Sequence, residues 1–219
     1  MRPALHTGLV ALLLDRHGRT FCTELRIRLD RGTPAPLFQW LCAALLMSAR
    51  ISAGTAVRAA RALKDAGWTT PAKMADSHWQ DRVRVLGGAG YGRFDESTAR
   101  MLGETAQQLL TEYGGDLRRL RERAGQDVAD ERRRLKAFKG IGDVGADIFL
   151  REVQAVWDEL YPYADRKTLA AARALGLPDT AEGLARLVPR PEFSRLVAAL
   201  VRADLADDLE TLRTEAEDR

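Results

Sequence analysis

The chain has 219 residues, 46% of them hydrophobic and 30% charged, an ordinary soluble balance with enough length for one large core or two small ones. Its net charge of +3 hides an asymmetry: residues 203–219 carry seven acids and two arginines, which leaves residues 1–202 at +8, a balance that suits a polyanion. With only two cysteines, Cys22 and Cys42, and three scattered histidines, the chain excludes a cysteine-rich metal or iron–sulfur site and shows no metal-ligand spacing. The apolar run Gly8–Leu14 is too short to cross a membrane and lacks a cleavage pattern, so a cytoplasmic protein is expected.

In chain order, residues 5–29 show helical periodicity interrupted near Gly18. Arg31-Gly32-Thr33-Pro34-Ala35-Pro36 reads as a loop by composition. Leu37–Met47 is apolar nearly all round, the mark of a helix at the centre of a core. Ser52 is placed to cap the next helix, which runs to Asp65. Short helices are expected at 71–76 and 78–87, then a glycine-rich loop, Gly87–Gly92. A long helix should begin at Asp95 or Ser97 and end at Tyr113, stopped by Gly114-Gly115. Segments 116–123 and 127–138 read as short charged helices, with nine basic residues between Arg118 and Lys139. A helix from Asp143 to Leu160, another from Asp165 to Leu177, and two more at 180–187 and 191–213 complete an all-α chain.

The stretch Leu135–Leu150 organises the rest. A basic helix runs into Gly140-Ile141-Gly142, and an apolar helix leaves it. Glycine lets a backbone turn sharply and approach a ligand closely, and amides at the start of the second helix favour an anion such as a phosphate. Ile141 would plug the space between the helices. The pattern is that of a helix-hairpin-helix spanning about 133–160, a module that grips DNA backbone without reading bases; an ordinary helix–helix turn with a C-cap glycine fits the same residues.

Further motifs fall in a familiar order. Leu45-Leu46-Met47-Ser48-Ala49-Arg50 is similar to a Leu-Ser-Ala-Gln helix ending, and Gly90-Tyr91-Gly92 through Ala99 to a Gly-x-Tyr-x-x-Lys-Ala stretch. Tyr113-Gly114-Gly115-Asp116 precedes the hairpin, Phe138-Lys139-Gly140-Ile141-Gly142 through Ala146 forms it, and Asp165 opens a helix ending in Gly176-Leu177. Over residues 36–178 this order resembles the helix-hairpin-helix DNA glycosylases of the endonuclease III branch. The resemblance implies a two-lobed fold with a central cleft. Residues 36–164 would form a six-helix barrel lobe, and 1–35 with 165–219 a second lobe. The hairpin and Asp165 would face the cleft.

By that resemblance Asp165 is the catalytic carboxylate. It would stabilise positive charge on the sugar, or activate a water, as a flipped base leaves. Asp165 is also a natural N-cap, with Thr168 three residues on. Gly140, Gly142 and Gly145 would offer amides to a phosphate, with a bound monovalent cation as in the family. Lys139, Arg133, Arg134 and Lys136 would add phosphate contacts, and Arg50 would enter the gap left by the base. Tyr91, Trp157, Tyr161 and Tyr163 are candidates for the base pocket, although most aromatics at helical spacing are core.

Departures from the family pattern set the chemistry. Val144 stands where the family has its catalytic lysine, and the cluster-binding cysteines are absent, so no iron–sulfur cluster is expected. Lys136 and Lys167 are amines without the family spacing. The expected function is therefore a monofunctional DNA repair glycosylase, a hydrolase acting on duplex DNA as a monomer associated with the nucleoid. The alternatives are a non-catalytic DNA-binding protein that kept the fold, and a bifunctional enzyme with a relocated lysine.

Overall fold

The computed structural model describes residues 3–217, and every regular element among them is a helix, as expected. The contacts divide the chain into two compact units, Leu25–Phe149 and Met1–Glu24 with Leu150–Arg219. These divisions precede the expected ones at 35/36 and 164/165.

The unit Leu25–Phe149 contains α3 (Pro34–Met47), α4 (Ala53–Asp65), α5 (Pro71–Ala75), α6 (Trp79–Gly88), α7 (Asp95–Tyr113), α8 (Leu117–Arg123), α9 (Val128–Leu135) and the first part of α10 (Asp143–Val153). Nine of the fourteen α3 residues are buried, so this helix is surrounded by others, as its apolar composition dictates. The expected loop at 31–36 is only partly a loop. Pro34 starts α3, where a missing N–H costs nothing and a fixed φ suits the helix. Ser52 caps α4 by accepting from Thr55 N, and Gly114 at φ +60° ends α7. Trp40 Nε1 donates to Phe149 O at 3.0 Å and so ties α3 to α10.

The other unit contains α1 (Pro3–His17), α2 (Phe21–Glu24), the end of α10, α11 (Arg166–Ala174), α12 (Ala181–Ala185), α13 (Phe193–Leu205) and α14 (Leu209–Glu217). Its core joins Leu9 and Leu13 of α1, Ala171 and Ala172 of α11, and Leu196, Val197 and Leu200 of α13. Here two expected helices are shorter. The one from Asp143 stops at Val153 rather than Leu160, because Gln154 is buried and ends it. Gln154 Nε2 donates to Arg151 O at 2.7 Å and to Tyr163 O at 2.9 Å, while its Oε1 accepts from Tyr163 N at 2.9 Å. The helix expected over 191–213 breaks at Ala206–Asp208, with Asp207 at φ +56°.

The buried Glu152 carboxylate opens α2 by accepting from Phe21 N at 2.6 Å and Cys22 N at 2.9 Å. Burial raises its pKa even though the two amides favour the ionised form. Both cysteines are buried and free, and burial pushes each thiol up.

Asp208 joins the ends of this unit by accepting from Arg16 at 3.2 Å and pairing with His17 Nε2 at 2.7 Å. The His17 hydrogen bond, then those from Arg16, hold the Asp208 pKa below the ordinary carboxylate value. A lowered carboxylate stabilises the fold above its unfolded pKa of about 3.9 and loses that contribution as pH falls through the folded value. Asp208→Asn should therefore lower the melting temperature at neutral pH, with the gap to the parent protein closing as thermal melts are repeated at progressively lower pH below about 4.

Candidate nucleic-acid interface

Leu135 and Phe138 at the end of the basic segment are buried, and Phe138 packs against Tyr113 with ring centroids 6.1 Å apart. The chain then turns at Gly140, φ +86°, where a Cβ would stand 2.6 Å from Met101 Sδ and 3.4 Å from Leu45. The conformation favours glycine. Ile141 is 3% exposed, fills the space beside the turn, and donates its N–H to Phe138 O at 3.0 Å. Gly145 is also buried, and a Cβ there would touch Ile141 at 3.4 Å and Ser48 at 3.6 Å. Gly142, Asp143 and Val144 are exposed, and the first amides of α10 have no acceptor within the helix. Val144 is 58% exposed.

The Phe138, Lys139 and Gly142 carbonyls accept from Ile141 N, Thr105 Oγ1 and Ala146 N.

The cations around the hairpin are mostly engaged, which neither spacing nor composition reveals. Asp130 accepts from Arg133 Nε and Arg134 Nε, both at 2.7 Å. Asp143 accepts from Lys136 at 2.8 Å and Arg132 at 3.1 Å, and Arg132 also pairs with Asp147. Lys136 first, then Arg132, hold the Asp143 carboxyl below its usual value. Residues 128–147 carry five basic and four acidic side chains, so the charge beside the turn is largely compensated, whereas 118–139 as a whole holds nine basic and four acidic residues. These pairs lie near the surface, where each contributes little and an incoming phosphate can replace the carboxylate. Lys139 is exposed beside the turn, and Arg50 is exposed just beyond α3.

Asp165 caps α11, its Oδ1 accepting from Thr168 N at 2.7 Å, as the Asp165–Thr168 spacing indicated. Its other oxygen is taken by Arg151, with Nε at 3.0 Å and Nη2 also bonded. The Asp165 and Arg151 side chains are only 2% and 4% exposed. Gln154, by binding Arg151 O and both polar backbone groups of Tyr163, fixes the chain between Arg151 and Asp165. Arg151 is the residue that sequence reasoning missed; it lies fourteen positions before Asp165 with no local pattern joining them.

Two of the four aromatic pocket candidates belong to the core. Tyr91 is 1% exposed, its hydroxyl donates to Leu46 O at 2.9 Å, and burial pushes its pKa up to about 12. Trp157 is also 1% exposed. Tyr161 is half-buried between Phe193, edge-on at 5.3 Å, and the Arg190 guanidinium at 4.7 Å. Tyr163 is half-buried, its backbone held by Gln154.

No protein-family model and no curated protein matches the chain. Among solved structures, it is similar to a trapped endonuclease III–DNA covalent intermediate, with TM-score 0.48, 16% identity, and coverage of 74% of this chain and 71% of that one. It is also similar to a non-covalent endonuclease III–DNA complex, with TM-score 0.48, 17% identity, and coverage of 83% and 84% respectively.

Breaking a buried ion pair leaves a charge without compensation and costs about 3–5 kcal/mol. Asp165→Asn keeps an oxygen for the cap but strands Arg151, so chemical denaturation should show a loss of about 3–5 kcal/mol. Arg151→Met combined with Asp165→Asn should regain much of it. Additive losses from the single changes would contradict the pairing.

Proposed function

We propose that the chain binds the sugar-phosphate backbone of duplex DNA through the Gly140–Gly145 turn, without reading bases. The observation that carries this reading is the turn itself. Gly140 closes it, Ile141 anchors it, and it presents the exposed opening of α10 beside Lys136, with Lys139 exposed in the turn. A phosphate there would meet backbone amides and the positive end of the helix. Asp143 stands in the same place and competes with the phosphate for Lys136 and Arg132. Binding by this surface is accordingly electrostatic, modest in strength and strongly dependent on salt. The motif order shared with the helix-hairpin-helix DNA glycosylases supports duplex DNA as the polyanion.

A second reading, monofunctional hydrolysis of an N-glycosidic bond, is favoured by Asp165 at the head of α11, the place the family's carboxylate holds. A carboxylate that stabilises a cationic sugar must act as an uncompensated negative charge. Here the Arg151 guanidinium neutralises it, and hydrolysis would require that pair to open. We therefore place Asp165 in the fold and leave base excision as the subordinate reading.

Fluorescence anisotropy with a labelled duplex tests the first reading. Affinity should fall linearly on a log–log plot against salt, and Lys139→Ala should lower the slope by about one. Gly142→Leu should weaken binding to all sequences alike without unfolding the chain, since a Cβ there meets nothing within 4 Å. Asp143→Asn should strengthen binding. Salt-insensitive binding, or a Gly142→Leu variant that binds as well as the parent, would contradict the assignment. Duplexes carrying single lesions test the second reading: alkali-dependent breaks, without a borohydride-trapped adduct, would establish hydrolysis.

A further inference from the structure

Arg82 of α6 is 7% exposed, and no carboxylate among the described residues pairs with it. Its guanidinium is held by neutral oxygens. Nε donates to Ala99 O at 2.8 Å; Nη1 donates to Ser77 O at 2.6 Å, Ser77 Oγ at 2.8 Å and Met74 O at 3.3 Å. The Nη1 bonds satisfy oxygens at and just past the end of α5, and the Nε bond ties α6 to α7. They do not use Nη2, and they supply no counter-charge. Burial is the cause that lowers the Arg82 pKa.

Arg82 lines an open groove with Ala75, Trp79, Arg100, Glu104 and Gln107. Gly103, on the adjacent α7, leaves room for the guanidinium, because a Cβ there would stand 2.6 Å from Arg82 Nη2. Arg100 brings a second positive charge to the groove, Gln107 a neutral donor, and Trp79 an apolar wall whose Nε1 is bound to Glu96 O. Glu104 is the acid on the wall, and it forms no ion pair with Arg82. A buried cation is ordinarily matched by an anion, and this one is held by neutral oxygens while lining a groove that a second arginine also lines.

We propose that the groove between α5, α6 and α7 is an oxyanion site that takes one phosphate group on Arg82 Nη2 and the Arg100 guanidinium. The phosphate comes either as the free ion or as part of a nucleic-acid backbone, and the test separates the two. The site is independent of the hairpin reading, which uses none of these residues.

The Arg82 Nε–H and Trp79 indole resonances are followed by NMR in the full chain during titration with inorganic phosphate, then with a short duplex. Movement with inorganic phosphate at millimolar concentration supports a site for the free ion. Movement with the duplex alone supports a backbone contact. The controls are exposed positions, chosen because replacing Arg82 would itself unfold this region. Arg100→Glu should weaken the response by about tenfold or more, and Glu104→Gln should strengthen it several-fold. Gly142→Leu should leave it unchanged, which separates failure here from failure of the hairpin reading. No movement with either probe, or a response that Arg100→Glu leaves intact, would overturn the proposal and reduce Arg82 to a cap of α5.

Discussion

A charge taken out of water must be met by something, and the way this chain meets its buried charges explains both its architecture and the fate of its candidate site. Asp165 is met by Arg151, and that pair is held in register by Gln154, whose three bonds end α10 and draw Tyr163 back toward it. Glu152, the next residue, is met by two amides and starts α2. Arg82 is met by carbonyls where α5 ends. Each arrangement stops or starts a helix where periodicity alone would have carried it on or left it uncapped.

The same principle bears on the proposed function. A carboxylate poised to stabilise a cationic sugar and a carboxylate neutralised by a buried guanidinium share a sequence position and a helix cap, but not a chemistry. The cap at Asp165 is compatible with either role. The arginine behind it pairs with the carboxylate, so a catalytic role would require that pair to open. At the hairpin the compensation is looser. Asp143 and Asp147 satisfy Lys136 and Arg132 near the surface, where a carboxylate is readily exchanged for a phosphate.

Local rules read much of this from the residues. Ser52, Asp165 and Gly114 end or begin helices as their side chains or backbone freedom require. The all-round apolar α3 lies where it must, and Gly140 turns the hairpin because that φ favours glycine. Each depends on residues a few positions apart, or on one residue's own stereochemistry. Pro34 shows the limit of composition, since proline-rich sequence is equally consistent with a loop and with the first turn of a helix.

What only the tertiary structure decided is which groups meet across distant positions. Arg151 with Asp165, Arg132 with Asp143 and Asp147, Tyr91 with the Leu46 carbonyl, and Arg82 with Ala99 each join residues separated by about three or more helical turns or by a change of element. The sequence by itself determined the helices, most of their caps, the glycine turn and the excess of positive charge before residue 203. It did not determine whether a given charge is free, because a charged side chain becomes free or spent only when packing brings its partner within hydrogen-bond reach and shuts out water.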